Sequence, residues 1–144
     1  MKTVAIIGTN GLPAKYGGFE TLAENLVDRL HTEFEFIVYC SKIHKKETRV
    51  KRFKNTKLIY LPFKANGVQS LVYDLISFLH ALIFAKTILF LGPTSSGFVT
   101  FFNFLFKRKV IVNHGGLNEW ERDKYTKNER RWARLNHRFA ARNA

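Results

Sequence analysis

Apolar positions in the first part of the chain change from one period to another across a glycine-rich loop. Thr3-Val4-Ala5-Ile6-Ile7 is an unbroken, largely β-branched run ending at Gly8, which predicts a buried strand. After Gly18, residues Phe19, Leu22, Ala23, Leu26, Val27 and Leu30 fall on one face at helical spacing. Glu35-Phe36-Ile37-Val38-Tyr39-Cys40 predicts a second strand, and Lys57 to Pro62 a third that the proline ends. Ser70 to about Phe84 reads as a helix apolar on most faces, followed by a fourth strand, Thr87 to Leu91, stopped by Gly92-Pro93. Ser95 or Ser96 is placed to cap a short helix through Phe106, Lys109 to Val112 predicts a fifth strand, and a polar helix begins near Asn128.

Apolar strands without alternation, separated by helices, predict an α/β domain with a Rossmann-like parallel sheet, helices on both faces and right-handed crossovers. The carboxyl ends of strands one, four and five then present Gly8 to Gly18, Gly92 to Gly97, and Asn113 to Gly116 towards one crevice. A length of 144 residues suits one such domain, and no repeat or low-complexity tract interrupts it.

The loop from Gly8 to Thr21 carries the most chemistry. A glycine-rich turn between a strand and a helix lets backbone N–H groups and the positive helix end approach a phosphate. The spacing is neither Gly-x-Gly-x-x-Gly nor a Gly-Lys-Ser/Thr loop, and no carboxylate after the second strand is placed to hold a ribose. The pattern from Gly11-Leu12-Pro13-Ala14 through Tyr16-Gly17-Gly18-Phe19-Glu20-Thr21-Leu22-Ala23-Glu24 resembles instead the start of bacterial family 4 glycosyltransferases, specifically the rhamnosyltransferase-like group of capsule and surface-polysaccharide synthesis.

That resemblance implies a GT-B fold of two Rossmann-like halves, of which residues 1–144 are the amino-terminal, acceptor-binding half. The nucleotide-sugar half and its glutamate pair are not in this sequence, and the last residues read as helix without a stop signal, as in a truncated chain. The implied reaction moves a hexose, rhamnose among the candidates, from a nucleoside-diphosphate sugar to a lipid-linked saccharide with retention of configuration. No cofactor or metal is expected, and turnover is not expected of this half alone.

Candidate residues follow from both lines. Gly11, Gly17 and Gly18 are expected to face a diphosphate or acceptor phosphate, with Lys15 and Tyr16 closing over the acceptor and Lys15 equally readable as a solvated loop charge. Glu20 has two readings, an acceptor-hydroxyl contact or a first-turn carboxylate satisfying the helix start. His114, between Asn113 and Gly115 after the fifth strand, can stand at the crevice and titrate near neutrality, and the resemblance puts such a histidine near the transferred sugar. Gly115-Gly116-Leu117-Asn118-Glu119-Trp120 is one residue longer than the Asp-Gly-Leu-Glu-Trp of that subgroup. Glu119, Glu121 and Asp123 alternate with Trp120 and Arg122 as at a solvated helix start, not as a metal-binding pair.

The net charge of +13 is concentrated in two blocks: residues 42–64 carry nine basic side chains against one acidic, and residues 107–144 eleven against four. This field suits an anionic inner-membrane surface or phosphorylated substrates, and the want of basic-aromatic interleaving argues against nucleic acid. The block from Ser41 to Lys64 is expected to be a solvated rim or a membrane-docking surface. Arg130, Arg134, Arg138 and Arg142 recur every four residues beside Trp132, Leu135 and Phe139, so the last helix is expected to pack that apolar face on the sheet or lay it in a bilayer. A single cysteine, Cys40, and the absence of a signal-peptide pattern after Met1-Lys2 point to a cytoplasmic setting, peripheral at the membrane. Val68 to Phe84, holding Asp74 and His80, falls short of a transmembrane span and is expected to be a buried or membrane-surface helix. A non-catalytic basic α/β module docking on a polyanion is the competing reading.

Overall fold

The computed structural model describes residues 1–15, 17–41 and 51–144. Among these residues six strands form one sheet: β1 (Lys2–Ile7), β2 (Phe34–Ser41), β3 (Arg52–Phe53), β4 (Thr56–Leu61), β5 (Thr87–Leu91) and β6 (Lys109–Asn113), in the order β3-β4-β2-β1-β5-β6. Neighbours pair in parallel except β3, which runs antiparallel to β4 through Arg52–Lys57 and Phe53–Thr56. The sequence reading lacks this edge strand, because two residues carry no periodicity. From β1 the chain moves outward to β2 and β4, then crosses back to β5 and β6. The strand order therefore reverses between β1 and β5, where open α/β sheets form their ligand crevice.

The described residues form four helices, α1 (Gly18–Leu30), α2 (Gln69–Phe84), α3 (Asn103–Phe106) and α4 (Lys127–Asn143). Successive strand residues point to opposite faces, so the continuous apolar run of β1 serves two cores at once. Ile6 packs with Val38, Leu58 and Leu91 under Ala23 and Val27 of α1. Ala5 and Ile7 pack with Tyr39, Ile88 and Phe90 under Tyr73, Phe78, Ala81 and Leu82 of α2. This is the Rossmann-like α/β arrangement the sequence predicts, with helices on both faces.

Two elements differ from expectation. The segment before β6 is a 3₁₀ turn, Gly97–Phe102, continuing into the single turn of α3. Ser96 stands at its N-cap, but its hydroxyl donates to the buried carboxylate of Asp74 in α2. In α4 the inward face is Ala133, Asn136, His137 and Ala140, while Trp132 and Leu135 are about half exposed. Arg131, Arg134, Arg138 and Arg142 face water. The small face wins because α4 runs close to the 3₁₀ turn: a Cβ on Gly97 would collide with the backbone oxygen of Asn136. A capping box between Thr126 and Glu129 starts α4. Among the described residues no helix is long and apolar enough to cross a membrane.

Candidate functional site

The loop leaving β1 is fastened from beneath. Thr9 is buried, its hydroxyl donating to the Tyr39 carbonyl at 3.1 Å and its carbonyl accepting from the Tyr73 hydroxyl at 2.8 Å. The Ser41 N–H donates to the Asn10 carbonyl at 2.9 Å. Glu20, 5% exposed, accepts through Oε1 from the Asn10 N–H at 2.6 Å and from Asn10 Nδ2 at 3.0 Å. Glu24 Oε2 accepts from the Ala14 N–H at 3.3 Å. Two carboxylates of α1 thus reach back to order the loop that precedes it.

Gly17, the N-cap of α1, has φ of 105°, and a side chain there would also run into the Glu20 carboxylate. Only glycine combines that dihedral with that contact at no cost. Among the described residues no side chain caps α1, so its first-turn amides retain their capacity for an external acceptor. Gly11 lies buried inside the loop, whereas Lys15, Gly17 and Gly18 are exposed. Tyr16 lies outside the described residues.

The facing wall follows β6. The Gly92 N–H donates to the Asn113 carbonyl at 2.8 Å, joining the ends of β5 and β6. Asn113 Oδ1 accepts from the Gly115 N–H at 2.8 Å and turns the chain. A short 3₁₀ turn, Glu119–Glu121, follows, and Arg122 pairs with Glu119 at 3.2 Å. Between the two walls lies an open cleft of about 590 Å³, lined by Gly18, Phe19 and Leu22 on one side and by Asn113, Gly115, Gly116, Leu117, Glu119 and Arg122 on the other. Of the residues singled out in the sequence, the fold brings Gly18, Asn113 and Gly115 together in this cleft. Gly11 and Glu20 lie within the loop instead, and Glu20 holds Asn10.

His114 faces a neighbouring hollow of about 310 Å³ that shares Gly116 and Leu117 with the cleft. Its Nδ1 lies 2.8 Å from Nδ1 of His137, with the rings nearly stacked at 28° and 4.7 Å between centroids. One proton must sit between the two nitrogens, so one ring donates and the other accepts. His137 Nε2 lies 3.2 Å from the Thr94 hydroxyl, and Trp120 meets the His137 ring edge-on at 5.2 Å. Burial pushes both imidazoles below their ordinary value, while the nearby Glu119 carboxylate acts in the opposite direction. His114 adds to the lowering at His137. The pair holds one shared proton more readily than two charges, a property suited to hydrogen-bonding an uncharged hydroxyl group.

The sequence reading misses His137 and Arg122. A signal for His137 is present, since it lies four residues after Ala133 and three before Ala140, on the small-residue face of α4. Glu119 and Trp120 enter the sequence reading as the end of the lengthened Gly115–Trp120 motif and as parts of a solvated helix start, and they border the cleft and the hollow. Among the described residues no three histidine, cysteine, aspartate or glutamate side chains converge as a metal site.

Helix α2 buries Asp74, whose carboxyl is pushed up to about 7 by desolvation against the opposing hydrogen bond from Ser96. Its Oδ1 has no hydrogen-bond partner among the described residues.

No curated protein matches the chain in sequence. A family model does match residues 1–144, that of the domain of unknown function DUF1972. This family is known as an amino-terminal domain of glycosyltransferase-like proteins. With a match from the first residue to the last, the chain belongs to the DUF1972 family.

Proposed function

We propose that this domain is the amino-terminal, acceptor-side half of a retaining GT-B glycosyltransferase that moves a hexose, rhamnose being one candidate, from a nucleoside-diphosphate sugar to a lipid-linked saccharide in surface-polysaccharide synthesis. The observation that carries the reading is the cleft itself. It lies where the strand order reverses and joins the uncapped start of α1 to the Asn113–Gly116 turn, with a histidine pair directly behind that turn. Amides at Gly18 and in the glycine turn suit the charge of a departing diphosphate, which backbone dipoles stabilise best when they are already oriented. The bonds from Glu20 to Asn10 supply that order on the β1 side. His114 takes the role of a hydroxyl contact on the transferred sugar or acceptor, and His137 fixes its ring. In this reading a second half supplies most nucleotide contacts, so the 144 residues bind without turnover.

The test is amide NMR on the isotope-labelled chain, titrated with uridine diphosphate, thymidine diphosphate and a short-chain polyprenyl-diphosphate hexose. Saturable shifts centred on Gly18, Gly115 and Gly116 are expected with the sugar-lipid analogue. Shifts spread over the basic surface, equally produced by heparin and abolished by salt, sink the reading in favour of a non-catalytic polyanion-binding module.

A further inference from the structure

Helix α2 is apolar on the side that meets the sheet and also on the side that does not. Val72, Ile76, Leu79 and Ile83 form an outward row at helical spacing, extended by Val68 before the helix and Phe84 at its end, with exposures from 38 to 86%. From Val68 to Ile83 the row is about 22 Å long at 1.5 Å per residue. Beside its carboxyl end stands a second exposed group, Phe101, Phe104, Leu105 and Phe106. The rings of Phe101 and Phe104 lie 5.0 Å apart. Arg108 donates through Nε to the Leu82 carbonyl at 2.9 Å, tying the end of α3 to that of α2. Exposed apolar surface on this scale marks a contact site.

The charge around the patch selects its occupant. From Thr48 to Asn118 the sequence has one acidic residue, Asp74, and that residue is buried. Lys86 and Lys107, which follow α2 and α3, and Lys109 at the start of β6 are exposed at the carboxyl end of the patch, where Lys57, Arg52 and the carboxylate of Glu35 share a hollow with Phe84. Lys57 lies close enough to His80 on α2 to depress its protonation, though burial of that ring contributes more. Aliphatic and aromatic side chains flanked at one end by several lysines match the interface of an anionic bilayer, where the chains insert to shallow depth and the ammonium groups meet lipid phosphates. A second copy of the chain suits the patch less well, since each brings a net charge of +13. The sequence reading allows membrane docking at the basic block from Ser41 to Lys64, on α4, or along Val68 to Phe84 as a membrane-surface helix. Lys42 to Val50 lie outside the described residues, and the buried face of α4 is already packed.

We infer that the outward row of α2, together with the phenylalanine cluster at α3, docks this domain on an anionic lipid bilayer. Docking leaves the helix lying in the interface plane, with Lys86, Lys107 and Lys109 at headgroup level. It is independent of the transferase reading, because it requires neither a sugar nor a nucleotide.

The test is flotation of the 144-residue chain with phosphatidylcholine vesicles containing or lacking phosphatidylglycerol, alongside light scattering for oligomeric state. Wild type is expected to float only with the anionic vesicles. Ile76→Ser, Ile83→Ser and Phe104→Ser combined, all at exposed positions, should weaken binding on the order of a hundredfold. An environment-sensitive dye on Ile76→Cys should shift to the blue with anionic vesicles, and the same dye on Asn25→Cys of α1 should not. Unchanged flotation of the triple variant, or a dye response at Asn25 equal to that at Ile76, overturns the inference. So does a wild-type dimer that the triple variant loses while vesicle binding stays intact, which would assign the patch to a second copy.

Discussion

His114 and His137 share one hydrogen bond, Nδ1 to Nδ1 at 2.8 Å, and both are held below the ordinary 6.5 mainly by burial. The unfolded chain therefore takes up these protons first as the pH falls, and the folded state loses stability below about pH 6.5. His114→Gln should raise the titration of His137, because it removes the neighbouring imidazole that helps to lower it. Imidazole NMR titration of wild type and variant measures this directly.

Asp74 works in the opposite direction. Its carboxyl is raised from 3.8 to about 7, so the folded state keeps a proton that the unfolded chain has released. The stability this confers is complete below about pH 4 and declines as the pH rises towards 7. The decline is at most about 1.4 kcal/mol per pH unit. Asp74→Asn mimics the protonated form, so its stability relative to wild type should increase steadily from pH 4 to 8 in urea denaturation. A constant difference across that range would show that the carboxyl is already ionised.

Glu20→Ala removes the acceptor for both Asn10 donors and should cost about 1–3 kcal/mol. Glu24→Ala, which loses only a 3.3 Å bond to Ala14, should cost less. In the Glu20 variant, hydrogen exchange should speed up at Asn10 and Ser41 while the centre of β2 stays protected. Exchange rates matching wild type at both positions would place the control of the loop elsewhere.

Gly97→Ala puts a methyl group against the backbone of Asn136, where α4 crosses the 3₁₀ turn. Overpacking of this kind costs about 1–3 kcal/mol. The loss should appear in thermal unfolding, with faster exchange in α4 at Ala133 to Ala140 and no change in α1.

What was legible in the sequence depended on how local each feature is. β5 appears where Thr87 to Leu91 predict it, and β1, β2, β4 and β6 within one residue at each end, because unbroken β-branched and aromatic runs between breakers encode buried strands locally. The crevice was legible in part: strand ends and loop composition place Gly18, Asn113 and Gly115 at one cleft, whereas the Gly92–Gly97 loop expected there lines none of it and its Thr94 and Ser95 border a separate hollow. The bond between His114 and His137 was not, as it depends on the angle at which α4 packs over β6. The four-residue arginine period drew the sequence reading to Trp132, Leu135 and Phe139 as the inner face, whereas the small residues that permit close packing lie on the face of His137. The hold of Glu20 on Asn10 spans ten residues through a turn and leaves no periodic trace.

The reversal of strand order has a dimensional consequence. One wall of the cleft is rooted in β1 and the other in β6, two strands away across β5. Adjacent strands lie about 4.8 Å apart, so the roots stand about 10 Å apart. That gauge is set by main-chain hydrogen bonding through the middle of the sheet, and loop substitutions leave it unchanged. Discrimination between ligands of equal width therefore falls to the six non-glycine residues that line the gap, Phe19, Leu22, Asn113, Leu117, Glu119 and Arg122.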